Sequence, residues 1–461
     1  MMTACDGGRR RVYEFNVNEE SWTEALGTLS RVWVNKKGVS GVRSGFITAK
    51  IEDRDVMLIT LPVYTDKAGT GDNGKDKLHL WLTDNTHIVD IGPVSGEDKE
   101  DIAASSLLYK SAKSDDNKDE LIALYEKKND GKETSSGMVS VRLTAELERV
   151  KDVLKTWKEV DERVSKLCPS GSDARELSTN TPCSSNFNIT EGLVGFLSGS
   201  FPGNTWKDEY LGVNATINKG TEEATAAVTA ATGPLDGVTF RGAWAEWPVG
   251  KQGENQLYHF ANYNFTLVAT VSIDGEPTKG GPIPLMGVKM NEEKGEKRKL
   301  MELSYEKEKK WELQCDEKSV KENSRNWEAD KSQHVVILLR NGTQGTAYVD
   351  GESVGKATCQ LENKHPKGIS HFYIGGGEGS AGSGEGVSVT VTNVLLYNRP
   401  LSSGEITALN TKLFHSKAER CGNRDGWYSC NRGKSTNCAG SRASDYCWRT
   451  RSDRRGIVEG T

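Results

Sequence analysis

Long apolar runs are what this chain most plainly lacks. No stretch of its 461 residues approaches the ~18 consecutive apolar side chains that a membrane-crossing helix needs. The N-terminal MMTACDGGRRRVYEF holds no apolar core of signal-peptide length, and RRGIVEGT at the other end offers no hydrophobic tail for a lipid anchor. Read literally, these ends predict a chain not addressed to the secretory pathway. An excess of one charge is missing too: a net charge of -5 over this length gives no electrostatic footprint for nucleic acid or an anionic membrane. Close histidine pairs are absent among the seven histidines, including His79, His87 and His371, so no metal site is expected. No GxSxG or Cys–His arrangement marks a hydrolase, and GGGEGSAGSGEG (375–386) lacks the strand, helix and lysine of a phosphate loop. No cofactor is expected.

Proline is sparse at 12 while glycine reaches 49, and the hydrophobic share is 35%. That mixture predicts a mainly β, turn-rich protein long enough for two or three domains. From residue 10 to about 143 the apolar pattern is that of short strands: RVWV, SGFITAKI, VMLITLPVYT, KLHLWLT, SLLYKS, ELIALYEKK and MVSVRLT. At ~40–50 residues per four-stranded blade this makes roughly three propeller blades, one short of the number that usually closes. Between Thr144 and Leu167 the period changes. Leu147, Val150, Leu154, Trp157, Val160, Val164 and Leu167 recur at three and four, an amphipathic helix (144–168) of ~6 turns whose stripe needs burial.

A polar linker (169–190) follows, bracketed by Cys168 and Cys183 in a way that suits a disulfide. From 191 to 414 a second β unit runs, with Asn341-Gly342 and Asp350-Gly351 as turn signals. Within it the NEEKGEKRK and YEKEKKW runs read as solvated loops. Asn188, Asn214, Asn264 and Asn341 head glycosylation sequons, which argues for the secretory route against the literal reading of the ends. The tail, 415–461, is basic and carries Cys421, Cys430, Cys438 and Cys447 at spacings that match no zinc pattern; disorder is expected there.

Near the end of the second unit stands VTVTNVLLYNRPL, Val389–Leu401. It predicts a strand with Val389, Val391, Asn393, Leu395 and Tyr397 on one face, stopped by Pro400. Ser402 and Glu405 then make a capping box for a short helix toward Leu413. This run, together with TWKEVD, GLVGFLS, FTLVATV and HFYIGG, resembles the trypanosome trans-sialidase superfamily. The resemblance implies part of a six-bladed sialidase-type propeller over 1–143, a long connecting helix, and a concanavalin-like (laminin-G-like) β-sandwich over 191–414. It also implies a protein of the cell surface or secreted, and an N-terminal half of the propeller that this sequence does not contain. The signature strand, including Asn398 and Arg399, carries a host-binding role by the same resemblance, while its alternation favours a core strand.

Sialic acid chemistry needs a cationic clamp for the carboxylate, a nucleophile and a general acid. Against the family pattern, Ala4 stands where a clamp arginine is expected. Lys75 stands at another, keeping charge but losing the planar fork, and Asn73 replaces the aromatic platform. Ala104 occupies the place of the nucleophilic tyrosine. Glu126 alone keeps the identity of the residue that the resemblance pairs with that tyrosine. The Asp-box turn survives only in degraded form from Asn16 to Trp22, with Val17 and Glu19 in the Asp and Gly places and Trp22 expected in the hairpin core.

Two readings follow. One is a catalytically inactive surface glycoprotein of the adhesin-like branch, binding host glycoconjugates or matrix and cytoskeletal proteins in adhesion and virulence. In it, Trp244, Trp247, His371, Phe372 and Tyr373 line a sugar or protein site, or else fill the core. The other is an exo-α-sialidase or trans-sialidase acting on sialoglycoconjugates, with Glu126 as its witness. A degenerate gene copy whose product is barely made is a third.

Overall fold

The structure, a computed structural model, describes residues 2–3, 9–34, 44–63, 77–94, 102–112, 118–128, 136–167, 188–199, 201–221, 224–229, 237–250, 255–275, 282–291, 297–306, 310–316, 318–321, 333–355, 359–361, 368–377 and 387–415. The chain divides into two compact units, Met1–Ala418 and Glu419–Thr461, and every described residue belongs to the first. The tail from 416 onward, Cys168 and Cys183 lie outside the described residues.

The N-terminal region forms three antiparallel sheets. The first holds β1 (Met2–Thr3), β2 (Arg11–Asn16) and β3 (Ser21–Glu24); the second β4 (Phe46–Ile51), β5 (Arg54–Val63), β6 (Lys77–Thr83) and β7 (Ile88–Pro93); the third β8 (Ile102–Lys110), β9 (Glu120–Lys128) and β10 (Ser136–Arg142). The strand period of two sorts the side chains of the second sheet to opposite faces. Ile59, Leu61 and Trp81 pack with Leu29, Val32 and Trp33 beside the first sheet. Leu58, Leu80 and Leu82 share a core with Leu107, Leu121 and Ala123 of the third. The three sheets therefore stack face to face.

Two expectations fail here, one of a strand and one of a core residue. RVWV makes no strand: Arg31 sits at φ 64° inside a turn, and Val34 contributes only an isolated bridge to Arg9. Trp22 does pair with Phe15 across the β2–β3 hairpin, yet it is 55% exposed, so it is no core residue of this chain.

Helix α1 (Thr144–Ser165) buries the predicted stripe, Leu147, Val150, Leu154, Trp157, Val160 and Val164, with Leu167 just beyond its end. Its apolar face joins one hydrophobic core that also contains Leu193, Phe196, Leu395 and Tyr397 from the C-terminal region, so the helix is shared by both halves.

In the C-terminal region the strands in chain order are β11 (Leu193–Leu197), β12 (Thr205–Trp206), β13 (Ala215–Lys219), β14 (Thr225–Thr229), β15 (Gly237–Arg241), β16 (Ala243–Pro248), β17 (Asn264–Asp274) and β18 (Ile283–Asn291). They continue with β19 (Lys297–Glu306), β20 (Lys310–Cys315), β21 (Lys318–Lys321), β22 (His334–Asn341), β23 (Gln344–Val349), β24 (Glu352–Ser353), β25 (Cys359–Gln360), β26 (Ile369–Ile374) and β27 (Ser388–Tyr397), before helix α2 (Ser403–His415). A nine-stranded sheet runs β14-β15-β27-β17-β22-β23-β24 with β11 on β27 and β25 on β23, and an eight-stranded sheet runs β12-β13-β16-β26-β18-β19-β20-β21. Both line one core, where Phe240, Phe265 and Leu396 meet Trp206, Trp247, Phe372 and Trp311. Parts of the runs expected as solvated loop are strand: residues 297–299 and 305–306 lie in β19 and 310–311 in β20, with Tyr305 and Trp311 turned inward.

The strand β27 is central, as its apolar density requires, but its two faces are not those of a simple alternation. Thr270 pairs with Thr392 and Val268 with Leu395, so Ala269 alone opposes Asn393 and Val394. Asn393 takes the left-handed conformation at φ 52° to make this bulge. Beyond it the phase flips. Val389, Val391, Val394 and Leu396 face the two-sheet core, whereas Leu395 and Tyr397 face the helix. The capping box forms as read: the Ser402 hydroxyl donates to Glu405 Oε2 at 2.8 Å, and the Ser402 amide donates to the same oxygen at 2.8 Å.

The disulfide found among the described residues is Cys315–Cys359, tying the eight-stranded sheet to the nine-stranded one across 44 residues of sequence. Non-reducing peptide mapping is expected to recover that pair, and replacing both cysteines by serine should cost about 2–4 kcal/mol in denaturant unfolding. At the bulge, Asn393→Ile is expected to lose about 1–2 kcal/mol while Asn393→Gly stays close to the parent, measured the same way.

Candidate functional site

Two of the positions expected from the resemblance, Ala104 and Glu126, meet on the third N-terminal sheet. Between the pairs Ile102↔Lys127 and Ser105↔Tyr125, two residues of β8, Ala103 and Ala104, oppose the single residue Glu126 of β9. The bulge thus sets Ala104 beside Glu126, the two places where a tyrosine and its glutamate partner were expected. Ala104 offers only a methyl group. Glu126 is half-buried on the sheet's outer face, opposite Met138 of β10. Ala4, Asn73 and Lys75 lie outside the described residues. An open groove of about 390 Å³ on the second sheet is lined by Thr48, Lys50, Asp55, Met57, Thr83 and Asn85, and contains none of the expected positions.

The richest polar constellation is one that the sequence did not announce. It sits where the second sheet, α1 and the 207–214 loop meet. Arg54 of β5 reaches Asp84 at 2.8 Å and Asp161 of α1 at 3.3 Å, and its guanidinium lies over the Trp157 ring. His87 stacks on Tyr210 at 4.3 Å and binds Asp84 through Nδ1. The Trp157 indole donates to the Tyr210 carbonyl at 2.8 Å, and the Tyr210 hydroxyl donates to Asp161 at 2.7 Å. Burial alone would push the Asp84 carboxyl up. Hydrogen bonds from His87 and the nearby charge of Arg54 outweigh it and hold Asp84 at about 2. Neighbouring Asp208 shows the opposite balance. Its carboxylate accepts from the Phe196, Tyr210 and Gly212 amides and from the Tyr258 hydroxyl, yet full burial still raises it to about 6. These groups are closed against one another, as suits a structural joint more than a substrate site.

The aromatic candidates of the C-terminal region separate. Trp247 and Phe372 point into the two-sheet core. Trp244, His371 and Tyr373 lie on the opposite face of the eight-stranded sheet within a polar row: the Trp244 indole donates to Glu246, and the Tyr373 hydroxyl donates to Glu302, which also accepts from Lys299. All three aromatic rings are under one-tenth exposed. A signal for this row was present in the alternation Ala243-Trp244-Ala245-Glu246-Trp247, where every second residue is small or inward.

The signature strand contributes more to closure than to surface. Val389, Val391 and Tyr397 are buried, and the Tyr397 hydroxyl donates to the Ile189 carbonyl at 2.9 Å. Arg399 grips Glu405 through two nitrogens at 2.7 and 3.1 Å and donates to the Glu191 carbonyl, while Asn398 donates its amide to Gly192. Of the sequon asparagines, Asn188, Asn214 and Asn341 are exposed. Asn264, directly opposite Asn341, accepts the Gly342 amide at 2.9 Å.

Comparison with known proteins places this fold. Residues 189–404 match the model of the trans-sialidase C-terminal domain, and residues 1–126 match that of the BNR repeat-like domain. A sialidase of Trypanosoma cruzi is 35% identical over 420 residues, covering 88% of this chain and 32% of that protein. Sialidase 85-1.3 of the same organism is 36% identical over 154 residues, 33% of this chain and 85% of its own length. Among solved structures, Trypanosoma rangeli sialidase with 2,3-difluorosialic acid, a covalent intermediate, superimposes with a TM-score of 0.71 at 36% identity, covering 89% of this chain and 60% of that one. The chain belongs to the trans-sialidase superfamily. It spans about a third of the first of these relatives and 60% of the solved sialidase.

The depressed Asp84 carboxyl makes the joint acid-sensitive. Its folded value lies below the unfolded value of about 3.9, so its contribution is complete above that value and fades as pH falls toward 2. Asp84→Asn is expected to remove about 2 kcal/mol at pH 7 and to flatten the stability loss between pH 4 and 2, read by urea melts across that range.

Proposed function

We propose that this protein is a non-catalytic member of its superfamily, a surface or secreted glycoprotein that binds host glycoconjugates or matrix and cytoskeletal proteins. The observation that carries the reading is Ala104 in the bulge beside Glu126. A carboxylate with no hydroxyl to activate leaves the anomeric carbon without a nucleophile. Ala4 and Lys75 weaken the clamp in the same direction, since lysine does not reproduce the bidentate fork of arginine. Losing nucleophile and clamp together removes rate enhancement wholesale. The relatives named sialidase favour the alternative, hydrolysis or transfer of sialic acid, and Glu126 is the residue of this chain that speaks for it.

For the architecture, the stack of three antiparallel sheets over 1–143 supports part of a sialidase-type propeller. The two large sheets on one core over 191–414 support a concanavalin-like sandwich, with the connecting helix expected over 144–168, which contains α1 (Thr144–Ser165), and the segment 169–190 joining the two regions. Four sequons and a cross-sheet disulfide support passage through an oxidising secretory compartment. None of the helices among the described residues is long and apolar enough to cross a membrane. Within this reading the signature strand is a closing strand, and Thr390, Asn393 and its end, Asn398 to Pro400, are partly exposed.

Purified protein is expected to release no fluorophore from a sialoside above the no-protein background, with Glu126→Ala indistinguishable from the parent. Turnover that Glu126→Ala abolishes would establish the enzymatic reading instead. A glycan array and a panel of matrix proteins should yield at least one saturable ligand; a blank screen removes the adhesin role.

A further inference from the structure

A β-sheet ends in strands whose outer amide and carbonyl groups no neighbouring strand satisfies, and folded proteins blunt such edges by shortening, charging or covering them. The two large C-terminal sheets follow this rule at nearly every edge. Strand β12 has two residues, β24 and β25 have two each, and β21 carries Lys318 and Lys321. Strand β11 is covered, since the Phe196 carbonyl accepts the Glu209 amide and Leu197 bridges to Asp208. Strand β14 is the exception. It pairs along five residues with β15, from Thr225↔Arg241 to Thr229↔Gly237, and among the described residues no strand pairs its other side. Ala226 packs on the two-sheet core, so the strand is part of the fold, while Thr225 and Ala227 are exposed. No residue of β14 or β15 enters the core that α1 shares with the N-terminal sheets, so this edge belongs to the C-terminal region alone. The sequence here is uncharged: Ala224 to Thr232 reads ATAAVTAAT, in a chain of which 27% is charged.

We infer that this edge binds the same edge of a second copy, β14 running antiparallel to β14 about a two-fold axis at Ala227, so that the two nine-stranded sheets become one. The sequence favours a partner identical to this chain. Residues 224–230, ATAAVTA, read almost the same in both directions, so antiparallel pairing centred on Ala227 sets Ala224 opposite Ala230, Thr225 opposite Thr229 and Ala226 opposite Val228. Small and β-branched residues meet along the contact, and no charge meets a charge. The acidic pair before the strand selects the register. Counted from the Ala227 centre, Glu222 and Glu223 of one copy fall against Thr232 and Ala231 of the other. Sliding the centre toward residue 223 brings glutamate against glutamate, which is unfavourable. A two-fold contact of this kind is isologous and closes at two copies. Backbone hydrogen bonds supply its affinity, as in other strand additions. A contact this short falls below the ~1,200 Å² of stable complexes, so pairing is expected at high protein concentration. The inference does not depend on whether the protein hydrolyses sialosides.

Light scattering after size exclusion, on the full chain at ~100 µM, tests it. The expected mass is twice 50.5 kDa, falling toward 50.5 kDa on dilution. Ala227→Lys and Ala227→Glu each set like charges opposite one another at the two-fold, and each is expected to weaken the pair roughly tenfold. Mixed in equal amounts, the two variants should pair again, because lysine then faces glutamate. Ala227 is exposed, so circular dichroism and thermal melting of both should match the parent. Hydrogen exchange on the parent alone gives a second readout: amides of 224–230 should exchange more slowly at ~100 µM than at ~1 µM. A parent that is monomeric at the higher concentration overturns the inference. So does association that neither substitution weakens, a mixture that fails to pair, or exchange over 224–230 that ignores concentration.

Discussion

One hydrogen bond holds a key position in this molecule: the indole of Trp157 on the carbonyl of Tyr210. Trp157 is fully buried on the helix that both β regions share, and Tyr210 belongs to the loop that opens the C-terminal unit. The ring of His87, from the N-terminal sheets, stacks on Tyr210 from one side, and Arg54 covers Trp157 from another. Three regions far apart in sequence are therefore positioned by two aromatic planes. A buried donor or acceptor left unmatched costs about 1–3 kcal/mol, and this joint matches several at once. Asp208 extends the same logic inward, since one buried carboxylate organises four donors around the entry to the C-terminal sheets.

The family relationship and the residues at the expected catalytic places belong to different levels of the structure. The runs GLVGFLS, FTLVATV, HFYIGG and VTVTNVLLYNRPL, which carry the resemblance, lie in β11, β17, β26 and β27, whose side chains fill the cores. Ala104 and Glu126, at the places where a tyrosine and its glutamate were expected, are only partly buried. Nothing in the packing of β8 against β9 resists the change at Ala104, because the bulge there needs backbone geometry and not a particular side chain.

Much of the fold was legible from pattern alone. The helix declared itself through Leu147 to Leu167, and the capping box through Ser402 and Glu405, because both are local devices with fixed spacing. What escaped was what spacing does not encode. The face assignment of β27 failed at Asn393, where one left-handed residue reverses the alternation. The charged runs around 297 and 310 read as loops because lysines and glutamates masked the alternate apolar residues that face the core. The cross-sheet disulfide joins cysteines distant in sequence, and only the fold brings them together. The His87–Asp84–Arg54 joint was hidden for the same reason: its members come from three elements, and each residue looks ordinary among its neighbours. Of the expected site, Ala104 and Glu126 were named through resemblance, and their juxtaposition required the strand register.

The bond between Cys315 and Cys359 also changes what a protease can do to this protein. Any single cut between those residues leaves two fragments that remain one covalent object, with β20 and β25 still bonded across the core. The segment they enclose includes the hairpin of β22 and β23 with its exposed Asn341-Gly342-Thr343 turn, a natural place for nicking. Cleavage there would lengthen the list of chain ends without releasing a piece, so the protein could be clipped and still hold together.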